Sequence, residues 1–372
     1  MRNSMLDCQR SWIEIDLSAL RHNVKAICTM LSGREQLMAV VKADAYGHGA
    51  IRISHELNQM GIHYFAVATL AEAIELRDNH IQGDILILGY TDPCHAKELQ
   101  DYDLTQTVTH GDYAKLLEKQ KRNVKVHIAI DTGMHRLGES DLKKVEAIYQ
   151  SHYLHVTGLF SHLCVCDEMT KESQEYTYQQ IETLMAFIQK LKKQHYSIGK
   201  VHLLSSYGFI NYPQYTFDYV RMGILLYGVD SALPKQNKLT LKPVLSLKSK
   251  IILIRDIQPG DSVGYGRTFI ASKPMKIATV PIGYADGLPR ALSNRGKVIV
   301  RGQLVAIVGR ICMDQMMIDV TDVYDVQEDD VVTIIGRDQV CQNVETIAMQ
   351  TNTISNEILS RIGSRLPKIY VL

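Results

Sequence analysis

The chain has no apolar run approaching the roughly 20 residues of a membrane-spanning helix, and no signal peptide is visible at its start. Nor is there an excess of charge of either sign. Its 41 basic and 40 acidic residues give a formal net charge of +1 and are well mixed, which argues against nucleic acid or an anionic membrane as the main partner. A disulfide framework is missing as well. The seven cysteines, Cys8, Cys28, Cys94, Cys164, Cys166, Cys312 and Cys341, are odd in number and scattered, as expected in a reducing compartment. Internal repeats, low-complexity tracts and a GxGxxG after the first strand-like run are all absent. What remains is the expectation of a soluble, cytoplasmic protein that acts on a small molecule.

With 372 residues the chain exceeds the usual size of one domain, so two domains are expected. From residue 15 to 228, short apolar runs alternate with helical patterns, which predicts parallel strands joined by crossover helices. Strands are predicted near 37–43, 64–69, 84–90, 104–109, 125–131, 156–163, 200–206 and 219–226. Eight strands fit a closed (β/α)8 TIM-type barrel, an α/β fold, although an open doubly wound sheet shares the same alternation.

The helices between the strands carry start signals. Leu17, Leu20, Val24, Ile27 and Leu31 recur at helical spacing, Thr69 with Glu72 forms a capping box, and Asp92-Pro93 supplies an N-cap followed by proline. Residues 170 to 195 predict a long helix. The polar stretch from Asp230 to Lys242, with Pro234, predicts a linker. Beyond it, β-branched runs at 244–254, 276–282, 297–301, 303–308, 316–320 and 331–335 are separated by turn residues, the pattern of a mostly antiparallel β domain. The predicted division is a barrel over 11–235 and a β domain over 236–372, with 1–10 unassigned.

Residues 39 to 49, Ala-Val-Val-Lys-Ala-Asp-Ala-Tyr-Gly-His-Gly, set Lys42 at the end of an apolar run. An unpaired buried ammonium is costly, so such a lysine is expected to be paired, neutral or covalently modified. A neutral lysine forms imines. Reacting groups of a barrel gather where strands end, and Arg136, His162, Ser205, Ser206 and Arg221 fall at such places. His162, Cys164 and Cys166 recur at period two with Asp167 next to them, but that spacing does not match the usual zinc ligands, and no metal is predicted.

The stretch 39–49 resembles the pyridoxal 5'-phosphate attachment segment of the alanine racemases. The resemblance implies that Lys42 carries the cofactor as a Schiff base and that Tyr46 binds its phosphate. Asp131-Thr132-Gly133-Met134-His135-Arg136-Leu137-Gly138 is similar to the family loop whose arginine orients cofactor and substrate. Arg221-Met222-Gly223-Ile224 resembles the motif that places an arginine at the pyridine nitrogen. An arginine there leaves that nitrogen unprotonated and the ring a weaker electron sink, which suits racemisation better than decarboxylation. Gly223, Ile224 and Ser206 would hold the phosphate, and His162 would hydrogen-bond a catalytic tyrosine.

Three further segments, Val263-Gly264-Tyr265-Gly266, Pro281 to Gly287 and Gly309 to Asp314, resemble family motifs that reach into the partner subunit's site. They imply a homodimer in which Tyr265 of the partner subunit and Lys42 are the two bases needed to invert a stereocentre. Tyr284, Met313 and Asp314 would lie on the substrate side.

Two positions depart from the family pattern. Where a lysine, often carbamylated, precedes Asp-Thr-Gly by two residues, this chain has Ala129; and where the family reads Ile-Ser-Tyr-Glu or Ile-Pro-Tyr-Glu, it has Ile354-Ser355-Asn356-Glu357. An asparagine opens space and offers an amide, so serine acceptance with residual alanine activity is expected. In this the chain is most similar to the serine/alanine racemase domains of vancomycin-resistance clusters, which follow a membrane-embedded domain. The resemblance implies D-amino acids for cell-wall peptides. The alternatives are a barrel decarboxylase with the same cofactor and a non-enzymatic regulatory protein that carries it.

Overall fold

The computed structural model describes residues 9–33, 35–230, 239–337 and 342–372. Most of the stretch predicted as a linker, including Pro234 and the boundary at 235, lies outside the described residues. So do Cys8 and Cys341.

The chain begins with β1 (Ser11–Asp16), and then eight parallel strands close into a barrel: β2 (Gln36–Val40), β3 (Tyr64–Val67), β4 (Asp84–Ile87), β5 (Thr105–Val108), β6 (Val124–Ala129), β7 (Leu154–Phe160), β8 (Lys200–Ser205) and β9 (Tyr219–Met222). Closure comes from β9 pairing with β2, which sets Arg221 opposite Met38. The strands are largely buried on both faces, even the polar β5 with Thr105, Gln106 and Thr107, because side chains fill the barrel inside and helices cover it outside.

The predicted helix starts are present. In α1 (Leu17–Cys28), Leu17, Leu20, Val24 and Ile27 are buried, and the Asp16 carboxylate accepts from the Ala19 N–H at 2.9 Å. After α2 (Ala50–Gln59), helix α3 (Leu70–Asp78) has the capping box at Thr69 and Glu72, each accepting from the other's backbone N–H at 3.3 Å. Asp92 accepts from the Cys94 N–H ahead of a short turn that begins at Pro93, and Thr170 caps α4 (Lys171–Lys193).

All eight barrel strands end earlier than the apolar runs predict, and at three of them the difference moves a site residue: β2 stops at Val40, β7 at Phe160 and β9 at Met222. In each case the apolar residues beyond belong to a turn at the barrel mouth, so Lys42, His162 and Ile224 stand on turns rather than in strands. That removes the strand-face relation among His162, Cys164 and Cys166, and among the described residues no His/Cys/Asp/Glu group is placed to hold a metal ion. The five described cysteines are all unpaired.

The second domain is built on a nine-stranded sheet among the described residues. Its members, besides β1, are β10 (Leu245–Lys250), β11 (Leu253–Ile257), β14 (Met275–Val280), β15 (Lys297–Val300), β16 (Gln303–Val308), β17 (Met316–Asp319), β18 (Val331–Ile335) and β19 (Lys368–Val371). A separate hairpin pairs β12 (Ser262–Val263) with β13 (Phe269–Ile270). The run predicted at 244–254 divides into β10 and β11, whose partners differ.

Strand β1, ahead of the barrel in the chain, lies in this second sheet, antiparallel to β10 and parallel to β19. With Trp12, Ile13 and Ile15 buried, it has apolar surface on both faces, a pattern that fits either sheet and does not disclose its partner in the sequence. One continuous hydrophobic core runs from Ile13 and Leu17 through the barrel to Val332 and Leu359. The two domains are thus packed against each other. Among the described residues no helix is long and apolar enough to cross a membrane.

Candidate active site

Beyond β2 the backbone turns left-handed. Ala43, Asp44, Ala45 and Tyr46 have φ of 52°, 53°, 53° and 53°, and Gly47 follows at 79°. Each non-glycine residue there costs on the order of 1 kcal/mol or more, so the surroundings must hold the turn. They do so from several sides. The Glu72 carboxylate accepts from the Ala43 N–H at 2.7 Å, Asp44 accepts from the Ala50 N–H and pairs with Lys368 at 2.7 Å, and the His48 ring donates to the carbonyls of Ala45 and Tyr46 at 2.9 Å. The helix α6 (Ser355–Ser360) of the second domain presses on the same turn, so that a Cβ on Gly47 would meet the Leu359 carbonyl oxygen at 2.6 Å.

The turn brings Lys42 to a cavity of about 400 Å³ at the barrel mouth, lined also by Tyr46, Arg136, His162, Ser206, Arg221, Gly223, Ile224 and Asn356. Burial, and then the charges of Arg136 and Arg221, lower the Lys42 pKa, while Glu72 opposes them. The neutral amine is thereby easier to reach than in a free lysine.

Arg221 is buried in β9 without a carboxylate partner among the described residues. Its Nη2 donates to the carbonyls of Ser161 at 2.8 Å and Leu203 at 3.0 Å and to His162 Nδ1 at 3.1 Å, while Nη1 donates to His202 Nδ1 at 2.7 Å. Phe160 lies 5.2 Å from its guanidinium carbon. Burial brings the Arg221 pKa down to about 9, so it stays charged at neutral pH. These bonds leave the Nε–H and the second Nη1 hydrogen for the cavity.

The arginine dictates the tautomers behind it. Since it only donates, His202 Nδ1 and His162 Nδ1 must both accept. His202 Nε2 therefore carries the proton and donates to His127 Nδ1 at 2.8 Å. His162 likewise keeps its proton on Nε2. Burial, with the Arg221 charge beside it, takes His162 and His127 down to about 3 and His202 well below the usual imidazole range, so all three are neutral.

Tyr46, Ser206 and Gly223 form a polar cradle. The Gly223 N–H donates to the Ser206 hydroxyl at 3.2 Å, and a Cβ on Gly223 would lie 2.8 Å from the Tyr46 hydroxyl oxygen. Ser206 opens helix α5 (Ser206–Asn211), and Ile224 opens the turn Ile224–Tyr227, where a first N–H has no intrahelical acceptor. Burial raises the Tyr46 hydroxyl to about 12, which keeps it a donor. Hydroxyls and N–H groups around a space that a methyl group would fill suit a phosphate.

Arg136 reaches the cavity from an exposed loop whose turn is tied by Asp131, which accepts from the N–H groups of Gly133 and His135. At its inner end the cavity is lined by Gly89, Thr107 and Ala129.

Of the residues expected from the second domain, Asn356 lines this cavity, whereas Tyr265, Tyr284, Met313 and Asp314 do not. Tyr265 is 72% exposed on a turn between β12 and β13, flanked by Gly264 and Gly266 at φ 73° and 72°. Tyr284 and Met313 are also exposed. Asp314 pairs with Arg365 at 2.8 Å, and the N–H groups of Tyr284 and Ala285 donate to the carbonyls of Cys312 and Met313, which locks the two loops together. The expected link from His162 to Tyr265 is thus not made within one chain. His127, His202, Glu72 and His48 were not singled out by the sequence, because isolated histidines on apolar runs and a helix-capping glutamate carry no spacing signal for the site.

The model of the alanine racemase N-terminal domain matches residues 15–231, and that of the C-terminal domain matches residues 244–370. A serine/alanine racemase of Enterococcus gallinarum is 39% identical over 362 residues, which are 96% of this chain and 51% of that protein. An alanine racemase of Caldanaerobacter subterraneus is 39% identical over 367 residues, 96% of this chain and 94% of that protein. The solved alanine racemase of Clostridium difficile 630 superposes with a TM-score of 0.91 at 34% identity, over 98% of this chain and 96% of that one. The chain spans about half the length of the Enterococcus relatives it matches.

Proposed function

Because this chain belongs to the alanine racemase family, with its two domain models matched over residues 15–231 and 244–370, we propose that it interconverts the L and D forms of serine and alanine using pyridoxal 5'-phosphate. The observation that carries this reading is the convergence of Lys42, Arg221 and the Tyr46, Ser206 and Gly223 cradle on one cavity. The residues fit the cofactor: a lysine tending to neutrality to hold it, a phosphate-sized cradle and a buried guanidinium with donors to spare. When bound, pyridoxal phosphate draws electrons from the substrate α-carbon and makes its proton removable.

Each side chain then has a task. Arg136 grips the substrate carboxylate as a planar fork. Arg221 would hold the ring nitrogen of the bound cofactor through a donated hydrogen bond and supply it no proton, which would limit electron withdrawal. Lys42 Nζ takes or returns the α-proton on one face. Tyr265 of the partner subunit serves the other face through its phenolic oxygen, and the Nε2–H of His162 donates to that oxygen and stabilises it as a phenolate. The exposure of Tyr265, Tyr284 and Met313 supports an assignment to a homodimer whose sites are shared.

The serine component rests on Asn356, which lines the cavity from α6 where a tyrosine is the family pattern. Its amide donates to a substrate hydroxyl that an apolar pocket would merely tolerate. The role that follows is supply of D-serine and D-alanine for cell-wall peptides. The test is incubation of each L-amino acid in deuterated water, followed by chirality and α-deuterium measurement. Racemised product carrying one solvent deuteron supports the reading; unchanged chirality with no exchange contradicts it.

A further inference from the structure

The left-handed turn carries Lys42 at its start and Tyr46 near its end, yet the polar clamps from Glu72 and Lys368 hold only Ala43 and Asp44. Its last two non-glycine carbonyls, of Ala45 and Tyr46, face inward to His48. Both lie 2.9 Å from Nδ1, and as carbonyls can only accept, so that nitrogen carries the proton. The ring is fully buried and stacks on Tyr227 at 4.3 Å and 27°; Tyr227 in turn donates to the Val40 carbonyl at 3.0 Å and lies 5.2 Å from the Tyr46 ring. Burial takes His48 down to about 4, so the imidazole is neutral, and its Nε2 is buried with no partner among the described residues. An imidazole oriented by a two-carbonyl contact, with its other nitrogen left unpartnered, is spending its hydrogen-bonding capacity on the shape of this turn.

We infer that His48 is a positioning residue for the cofactor site: its Nδ1–H locks the left-handed turn and thereby aims Lys42 Nζ and the Tyr46 hydroxyl together into the barrel mouth. Without that lock, the Tyr46 carbonyl loses its donor and the Ala45 carbonyl keeps only backbone ones, the His48 N–H at 3.1 Å among them, so the strained residues gain by rotating toward ordinary dihedral angles. Lysine and phosphate-binding tyrosine would then no longer be set at a fixed separation. The inference rests on the proposed attachment of pyridoxal phosphate at Lys42.

The experiment measures pyridoxal phosphate affinity of the full chain, stripped of cofactor and retitrated, by the absorbance change on attachment to lysine, with thermal unfolding recorded on the same samples. His48→Leu removes donor and ring; His48→Asn keeps an amide nitrogen where Nδ1 stands. Loss of the one N–H shared between two buried carbonyls predicts about 10- to 100-fold weaker binding for His48→Leu, with most of it restored in His48→Asn. Should His48→Leu not accumulate folded, His48→Asn against wild type decides, a loss of about tenfold or more overturning the inference. It is equally overturned if both variants bind as wild type and differ only in unfolding temperature, or if asparagine restores nothing. Failure of the wild-type chain to attach the cofactor would instead sink the proposed function.

Discussion

Nη1 of Arg221 lies 2.7 Å from Nδ1 of His202, and this contact, with the 2.8 Å step from His202 to His127, orders a buried row of neutral imidazoles behind a guanidinium. The arginine is charged, has no carboxylate partner among the described residues, and is held in place by neutral acceptors. Replacing His202 by leucine removes one of them and leaves the charge less well compensated. Hydrogen bonds to charged groups contribute about 1.5–3 kcal/mol, so kcat is expected to fall roughly 10- to 100-fold, with a smaller loss for His127→Leu one step further away. Steady-state racemisation rates of the two variants check this, and equal losses would contradict the order.

Acid sensitivity follows from the same histidines. His48 titrates at about 4 and His127 and His162 at about 3 in the fold, against 6.5 unfolded. Between those values the unfolded chain binds protons that the folded chain refuses, so folding stability decreases as pH falls below 6.5. Each such histidine contributes a slope of about 1.4 kcal/mol per pH unit, continuing to about 4 for His48 and about 3 for the others. Unfolding temperature measured from pH 7.5 to 4.5 should drop progressively. A flat profile would mean that these side chains are not buried neutral.

Gly223 stands where a methyl group would come within 2.8 Å of the Tyr46 hydroxyl oxygen. Gly223→Ala is expected to weaken pyridoxal phosphate binding about 10-fold or more by pushing Tyr46 out of the cradle, an overpacking effect of 1–3 kcal/mol. Cofactor titration checks it, and wild-type affinity would show that the cradle does not hold the phosphate.

Substrate choice is placed on Asn356. Asn356→Tyr is expected to lower the serine-to-alanine ratio of kcat/KM about tenfold or more by filling the space and removing the amide donor. An unchanged ratio would take the serine preference away from this position.

The barrel was legible in the sequence because its eight apolar runs are separated by helix signals, two of which the structure reproduces at the Thr69 and Glu72 capping box and at Asp92-Pro93. The site was legible where a residue sits inside a recognisable stretch, as Lys42, Tyr46 and Arg221 do. Local pattern gave no warning of the left-handed turn, since Ala43, Ala45 and Tyr46 have no intrinsic preference for positive φ and adopt it under the grip of Glu72, His48 and α6. Long-range pairing hid the rest. Strand β1 reaches across more than 200 residues to β10, and His127 and His202 meet only because the barrel sets β6 and β8 on either side of β7.

The central claim is that Lys42 of one subunit and Tyr265 of the partner subunit serve opposite faces of one substrate. Lys42→Ala and Tyr265→Phe are each expected to abolish most activity alone. When the two inactive variants are mixed under conditions that exchange subunits, each mixed dimer regains one complete site, so racemase activity should return to roughly a quarter of the wild-type level. A mixture as inactive as its components, with mixed dimers demonstrated, would contradict the shared site.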